Sequence, residues 1–263
     1  MRSINVAGKE IFIVQSHNQV LEAWRDSPGI NVFSLDYHTD TKTAFHNYSY
    51  WRADSEIKSG RCGNHEERLY ELTEEKISQY LDGQININQV NDNLKHDEHL
   101  DFAVRTDMVN IVFVLSTNRN ASSSNPNVYI ADGPEEYGHQ RIIEFSPQCV
   151  PGCSKKTHGN ECLGLRADSS IEDSFLLDAV SHAESFKSSF FENYILDIDC
   201  DYFNTEKSLH PENFEIFKRM VRNSRMITIA LEPECVKICR HEGSGLTSEI
   251  VLNRLISIIE EIS

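Results

Sequence analysis

Short apolar runs recur along the chain, and each is followed by a longer stretch in which apolar residues return at helical spacing. The runs are only four to six residues long, which is typical of strands that are buried inside a sheet. Five runs predict strands: Ile11–Val14, Ile30–Leu35, Asn110–Leu115, Tyr194–Ile198 and Met226–Leu231.

The stretches between the runs predict amphipathic helices. In Glu66–Leu81, Leu69, Leu72 and other apolar residues lie near one face and charged residues lie opposite. Strands that alternate with helices indicate an α/β fold in which helices cover both faces of a mainly parallel sheet, a three-layer α/β/α arrangement. The remaining predicted helices are Asp92–Val104, Ile171–Phe186, Pro211–Val221 and Ser248–Ile262.

One stretch departs from this alternation. From Thr117 to about Gly164 the chain is rich in Ser, Asn, Pro, Gly and Cys, and its apolar pieces, Val128–Ile130 and Ile142–Phe145, are short. Connections of this length are usually functional or disordered. We therefore expect a single domain over residues 1–263, with a long loop excursion over the active face at about 117–164.

The excess of acidic residues indicates which classes of partner the protein surface disfavours. The chain has 263 residues, of which 41 are acidic and 25 basic, and its net charge is -16. Such a surface disfavours nucleic acid and anionic membranes, although plain solubility also accounts for it. No apolar run approaches the roughly 20 residues of a membrane span, and no apolar secretion segment opens the chain. We therefore expect a cytoplasmic protein without nucleic-acid or membrane partners.

The seven cysteines are an odd number and are scattered along the chain. Without a secretion signal they are expected to be reduced thiols. Cys149, Cys153 and Cys162, with His158 between the last two, have the ligand types for zinc, but their spacing matches no standard zinc finger. Whether this cluster binds a metal stays open at this point.

Two carboxylate clusters directly follow apolar runs. One has the sequence Asp-Tyr-His-Thr-Asp at 36–40 and the other Asp-Ile-Asp-Cys-Asp at 197–201. Alternate side chains of an extended chain share a face, so Asp36, His38 and Asp40 can point the same way, as can the three acids of the second cluster. Converging carboxylates repel one another unless a cation joins them. A divalent metal is the simplest such cation.

Two further strand ends carry candidate ligands, His17 after the first run and Glu232 after the last. Oxygen ligands mixed with imidazole suit Mn²⁺ or Fe²⁺ better than metals that prefer thiolates, although Zn²⁺ also accepts them. Six ligands are too many for one tetrahedral ion and suit two, which would together lower the pKa of a shared water. Taken alone, His17 or an Asp-x-Asp pair is often merely structural, and it is their joint occurrence that favours a metal site.

These motifs carry a resemblance to known hydrolases. The order His, Asp-x-His-x-Asp, Asp-x-Asp, Glu resembles the arginase/agmatinase (ureohydrolase) superfamily, which shares its fold with histone deacetylases. Ile13–Asn18, Leu35–Thr41 and Leu196–Phe203 more closely resemble the UPF0489 family, whose bacterial members include peptide arginases that convert arginine to ornithine in ribosomally made peptides. The resemblance spans His17 to Glu232 and implies an arginase/deacetylase-like fold.

The resemblance also implies roles for individual residues. Glu232 would face the substrate guanidinium, and Asp197 would lie outside the metal ligands. Val14-Gln15-Ser16 stands where the superfamily usually has Gly-Gly-Asp, and Tyr37 replaces a small residue. Two Mn²⁺ ions would be bound, one by His17, Asp36, Asp40 and Asp199 and the other by Asp36, His38, Asp199 and Asp201, with Asp36 and Asp199 bridging.

Cleavage of a guanidinium expels an amine, which must take up a proton. Histidine is the side chain best suited to supply that proton near neutral pH. His46, His65 and His99 are the candidates, and each could equally be a surface or capping residue. His46 lies in the segment where superfamily enzymes carry such a histidine.

The leading hypothesis is a binuclear manganese hydrolase that converts peptidyl arginine to ornithine and urea during maturation of a ribosomally synthesised precursor peptide. The alternatives are a small-molecule ureohydrolase of the agmatinase type, a zinc deacetylase-like amidohydrolase, and a non-catalytic, metal-stabilised peptide-binding module. The deacetylase branch has histidine where Asp201 stands, which argues against that alternative. An oligomer is compatible with the resemblance, because the superfamily often forms trimers or hexamers.

Overall fold

The computed structural model describes residues 1–117, 128–130 and 141–262, and its strands form one eight-stranded sheet in the order β1-β2-β8-β7-β3-β4-β6-β5. The six central strands run parallel, and the two edge strands, β1 and β5, are antiparallel to their neighbours. The mainly parallel sheet predicted from the sequence is confirmed. The strands are β1 (Arg2–Val6), β2 (Lys9–Val14), β3 (Ile30–Asp36), β4 (Val109–Ser116), β5 (Val128–Ile130), β6 (Ile142–Phe145), β7 (Tyr194–Asp199) and β8 (Met226–Ala230).

Helices accompany the sheet along the described chain, and short 3₁₀ turns follow β2 and β7. The helices are α1 (Leu21–Trp24), α2 (His46–Lys58), α3 (His65–Leu81), α4 (Ile87–Asn91), α5 (His99–Arg105), α6 (Asn160–Asp168), α7 (Asp173–Phe186), α8 (Glu215–Asn223), α9 (Pro233–Cys239) and α10 (Ser248–Glu261). None of the helices in the described residues combines the length and apolar character needed to cross a membrane.

Two hydrophobic cores lie on opposite faces of the sheet, because side chains alternate along each strand. In β3, Val32 belongs to one core and Phe33 to the other. Helices α7, α8 and α10 contribute to the core that contains Phe33, and α1, α4 and α5 to the core that contains Val32. The predicted three-layer α/β/α architecture is therefore confirmed.

The parallel register brings four strand ends to one edge of the sheet. Leu35 of β3 pairs with Ile198 of β7, and Asp199 of β7 pairs with Ala230 of β8. Ala230 in turn pairs with Val14 of β2. The chain segments that follow these strands therefore emerge side by side, at the carboxyl edge where parallel α/β sheets bind their ligands.

The five predicted strands are all present, whereas the predicted excursion contains more regular structure than expected. Its apolar pieces form β5 and β6, which extend the sheet, and α6 begins at Asn160. Residues 118–127 and 131–140 of the excursion lie outside the described residues. The helix predicted over 92–104 begins at His99 and follows a 3₁₀ turn at His96–Glu98.

Candidate metal centre

His17 is the centre of the acidic cluster at the carboxyl edge. It opens a 3₁₀ turn directly after β2 and is completely buried. Its Nδ1 atom lies 3.0 Å from Oδ2 of Asp40, 3.2 Å from Oδ2 of Asp199 and 3.5 Å from Oδ2 of Asp36. The structure thus brings together the four residues predicted to hold one metal ion.

Asp197 lies on the opposite side of the His17 ring. Its Oδ2 atom is 2.8 Å from Nε2 of His17 and accepts a hydrogen bond of 2.9 Å from the hydroxyl of Ser34. Its Oδ1 atom accepts a 2.5 Å hydrogen bond from the hydroxyl of Thr228. Ser34 and Thr228 are its direct neighbours in the sheet register, so the strands themselves fix this carboxylate. Nδ1 is therefore left to face the other acids.

The second predicted group surrounds His38 and Asp201. Nδ1 of His38 is 3.0 Å from Oδ2 of Asp201. Asp36 accepts a 2.7 Å hydrogen bond from the backbone N–H of His38, and Asp199 accepts a 3.0 Å one from the backbone N–H of Asp201. The two bridging candidates are therefore tied to the second group as well as to His17. Cys239, which the sequence analysis did not select, also lies here, with its Sγ 3.9 Å from Nε2 of His38.

The raised pKa values of the clustered aspartates indicate that the site lacks positive charge. Burial and the nearby charges of Asp40 and Asp201 raise the pKa of Asp36 well above its usual range. Burial and Asp201 likewise raise the pKa of Asp199 to about 8. Among the described residues, the buried Oδ2 of Asp36 has no hydrogen-bond donor. Acceptor oxygens that are buried, crowded and short of donors fit divalent cations, which would neutralise them.

Two of the acidic residues have unusual backbone dihedral angles. Asp40 has a φ of +49° and Glu232 a φ of +36°, both in the left-handed region that residues other than glycine seldom adopt. Such conformations concentrate at functional sites, where the surrounding structure holds them in place. Here they set the position of two acids at the same edge of the sheet.

Glu232 links the cluster to a histidine that the sequence analysis did not select. Its Oε1 accepts a 2.8 Å hydrogen bond from the backbone N–H of His17, and its Oε2 lies 2.9 Å from Nδ1 of His96. Burial alone would raise the pKa of Glu232, but these hydrogen bonds and the charge of His17 lower it to about 2. The same contact raises the pKa of His96 to about 9. At neutral pH the pair is a carboxylate and an imidazolium.

The three histidines proposed as proton donors occupy different places. His46 is exposed at the start of α2, and His65 is half-buried at the start of α3; the rings of both lie near that of Tyr50. No hydrogen bond or ion pair of the described residues joins either to the acidic cluster. Only His99 reaches it, with its ring centre 4.4 Å from that of His17.

His99 is poorly suited to carry a proton. Its Nδ1 donates to the backbone carbonyl of His96 at 2.6 Å, and the ring is completely buried. Burial and the positive charge of His17 lower the pKa of His99 to about 3, so the ring is neutral at pH 7. Its packing against His17 and Trp24 indicates a positioning role instead. His96 lies in the 3₁₀ turn just before α5, and no local sequence signal distinguishes it from His99.

Comparison of the sequence with models of known protein families gave no match, and comparison with curated proteins gave no significant match either. The geometry and chemistry of the site therefore carry the functional argument.

Proposed function

We propose that this chain is a binuclear manganese hydrolase that converts arginine within a peptide to ornithine and releases urea. The observation that carries the proposal is the convergence of three aspartates on Nδ1 of His17, next to a second group formed by His38 and Asp201. The order of these residues along the chain resembles that of the arginase superfamily, which is the reason for preferring this chemistry over other metal-dependent hydrolysis.

The residues fit a pair of ions. One ion would be held by His17, Asp36, Asp40 and Asp199, and the other by Asp36, His38, Asp199 and Asp201. Burial and mutual repulsion raise the pKa of Asp36 and Asp199, so ionising these carboxyls together needs added positive charge, which two divalent cations would supply. When bound, the ions supply Lewis-acid activation of water for attack on the substrate.

Glu232 is the residue that would receive the guanidinium. It is 7% exposed and stays ionised at neutral pH, so it offers a buried anion at the rim of the cluster. A planar guanidinium can donate two parallel hydrogen bonds to a carboxylate. Because Oε2 of Glu232 already contacts His96, the substrate would replace or share that contact and bring Cζ close to the aspartates.

His96 is the proton donor that the geometry favours. Addition of water to Cζ is followed by cleavage of the bond between Cζ and Nε, and the leaving amine must take up a proton. The imidazolium of His96 is partly exposed and is hydrogen-bonded to the proposed substrate anchor. Delivery of its proton would leave a neutral imidazole, which recovers a proton from solvent before the next turnover.

A peptide substrate and a cytoplasmic location complete the proposal. The net charge of -16 favours approach of a peptide that carries arginine. All seven cysteines are free thiols, as expected in a reducing compartment. The resemblance to peptide arginases suggests a ribosomally made precursor peptide as the partner.

The test is to incubate the protein with Mn²⁺ and a panel of arginine-containing peptides, free arginine and agmatine, and to identify the products by mass spectrometry. We expect ornithine in a peptide together with urea. Asp199→Asn should abolish both products, whereas the exposed control Asp26→Asn should leave them unchanged. Turnover of agmatine alone would indicate a small-molecule ureohydrolase, and peptide binding without turnover under any metal would indicate a binding module.

A further inference from the structure

A second cluster of metal-ligating side chains lies in the segment between β6 and α6. The Sγ atoms of Cys149, Cys153 and Cys162 and a ring nitrogen of His158 are all within 4.8 Å of one another. Nδ1 of His158 is 4.0 Å from Sγ of Cys153. We propose that these four residues form a structural zinc site. It shares no residue with the acidic cluster and does not depend on the function proposed above.

A tight turn places the first two thiols together. The backbone N–H of Cys153 donates to the carbonyl of Val150 at 3.2 Å, and Gly152, between them, has a φ of +79°. Proline at the second position of a turn and glycine at the third suit this geometry, because proline fixes its own φ and glycine adopts positive φ without strain. The sequence Val-Pro-Gly at 150–152 thus returns Cys153 to Cys149 and explains how a spacing unlike that of standard zinc fingers can still form a site.

The start of α6 supplies the other two ligands. Gly159 caps this helix, and the backbone N–H of Cys162 donates to its carbonyl at 3.0 Å. Cys162 therefore lies in the first turn of α6. His158 immediately precedes the cap. Cys162 is completely buried, so a charge on it needs a partner inside the protein.

The chemistry of this set selects zinc. Three thiolates and one imidazole are a recognised structural zinc combination, and soft sulfur ligands do not suit Mn²⁺. A tetrahedral ion with Zn–S bonds of about 2.3 Å holds its sulfurs about 3.8 Å apart, so the observed cluster needs to contract by about 1 Å or less. None of these cysteines is in a disulfide.

The position of the cluster suggests what the zinc would do. Arg166 lies one turn beyond Cys162 on α6 and donates to the backbone carbonyls of Pro147 and Thr117. The backbone N–H of Thr117 in turn donates to the carbonyl of Asp36 at 3.1 Å. Zinc would therefore fix the start of a helix that is anchored beside the acidic cluster, and would hold the 149–162 segment against the domain.

Cobalt substitution of the full-length protein tests the proposal. Tetrahedral cobalt with three thiolate ligands shows sulfur-to-metal charge-transfer absorption and visible bands that are stronger than the single thiol of Cys239 beside the acidic cluster could produce. We expect these bands at about one equivalent of cobalt per chain. Cys153→Ala should remove them, whereas Cys62→Ala, a change to a cysteine outside the cluster, and Asp199→Asn should retain them. Absence of thiolate absorption in the wild type, or its persistence in Cys153→Ala, would overturn the proposal.

Because a variant without its structural metal can unfold, the wild-type protein provides a second measurement. A mercurial reagent should release about one zinc per chain in step with modification of three thiols. Zinc release that precedes thiol modification, or a protein whose thiols react without releasing zinc, would contradict the site.

Discussion

Asp197 holds His17 from the side opposite the acidic cluster, with 2.8 Å between Oδ2 of the aspartate and Nε2 of the histidine. Because Nε2 donates to this carboxylate, Nδ1 is left without a proton when the ring is neutral, as metal ligation requires. Asp197 is itself fixed by Ser34 and Thr228 on the two neighbouring strands. The orientation of the histidine is therefore set by the sheet.

Asp197→Asn should weaken metal binding without removing a proposed ligand. The amide is uncharged and can also donate toward Nε2, so the imidazole becomes a weaker ligand and loses its preferred tautomer. We expect the concentration of Mn²⁺ needed for half-maximal activity to rise about 10- to 100-fold. Titration of activity with Mn²⁺ measures this, with the exposed Asp26→Asn as the control. An unchanged metal requirement would show that Asp197 does not orient the ligand.

The metal-free protein should lose stability as the pH rises from 6.5 to 8. The pKa of Asp199 is raised to about 8, whereas that of an unfolded aspartate is about 4. Native Asp199 therefore keeps a proton that the unfolded chain has released, and unfolding free energy falls by up to about 1.4 kcal/mol per pH unit from this group. His96, whose pKa is raised to about 9, adds to this trend, and His99, with its lowered pKa, opposes it only below about 6.5.

Thermal unfolding in the presence of a chelator, measured across this pH range, tests the prediction. Asp199→Asn should reduce the slope of the pH dependence and leave the part that comes from His96, and saturating Mn²⁺ should reverse the loss of stability in the wild type. Equal slopes for the wild type and Asp199→Asn would show that the carboxylate does not keep its proton in the native state.

The sequence predicted the acidic cluster well because its determinants are local. Each carboxylate motif directly follows an apolar run, and in a parallel sheet the ends of such runs meet at one edge. The histidine at position 96 was missed for the opposite reason. Its importance depends on contact with Glu232, 136 residues away, and on the left-handed backbone of that residue. No local pattern encodes either feature.

Two of the helices that the sequence analysis missed, α2 and α6, lack an apolar stripe. Helix α2 buries Ser49, Ala53 and Glu56, and α6 buries Cys162, Arg166 and Ala167. Hydrophobic periodicity cannot detect a helix whose buried face is small or polar. In α6 that polar face is the feature of interest, because it carries a candidate zinc ligand and the buried arginine.

His96→Gln should slow turnover by a factor of about 10² to 10⁴, as expected for loss of a general acid. In the wild type the rate should fall as the pH rises above about 9, where His96 loses its proton, and the variant should lack this alkaline decline. Glu232→Gln should move the decline to lower pH, because the contact that raises the pKa of His96 is lost.

The turnover rate of these variants is measured as a function of pH. The control is His210→Gln, a change at an exposed histidine. A full rate in His96→Gln would exclude His96 as the donor. If His46→Gln or His65→Gln produced the loss instead, the donor would come from α2 or α3.

Arg166→Met should destabilise the protein although it preserves most of the side-chain volume. The buried guanidinium donates to the carbonyls of Pro147 and Thr117, and methionine leaves both oxygens without these bonds. Loss of hydrogen bonds from a charged donor to buried carbonyls should lower the free energy of unfolding by about 3 kcal/mol or more. Urea unfolding of the metal-loaded protein measures this, and the exposed Arg222→Met on α8 should change stability by no more than about 0.5 kcal/mol. Equal midpoints for the two variants would show that Arg166 does not anchor α6. If the midpoint fell but activity on peptides stayed unchanged in the folded variant, the anchor would serve the fold without shaping the acidic cluster.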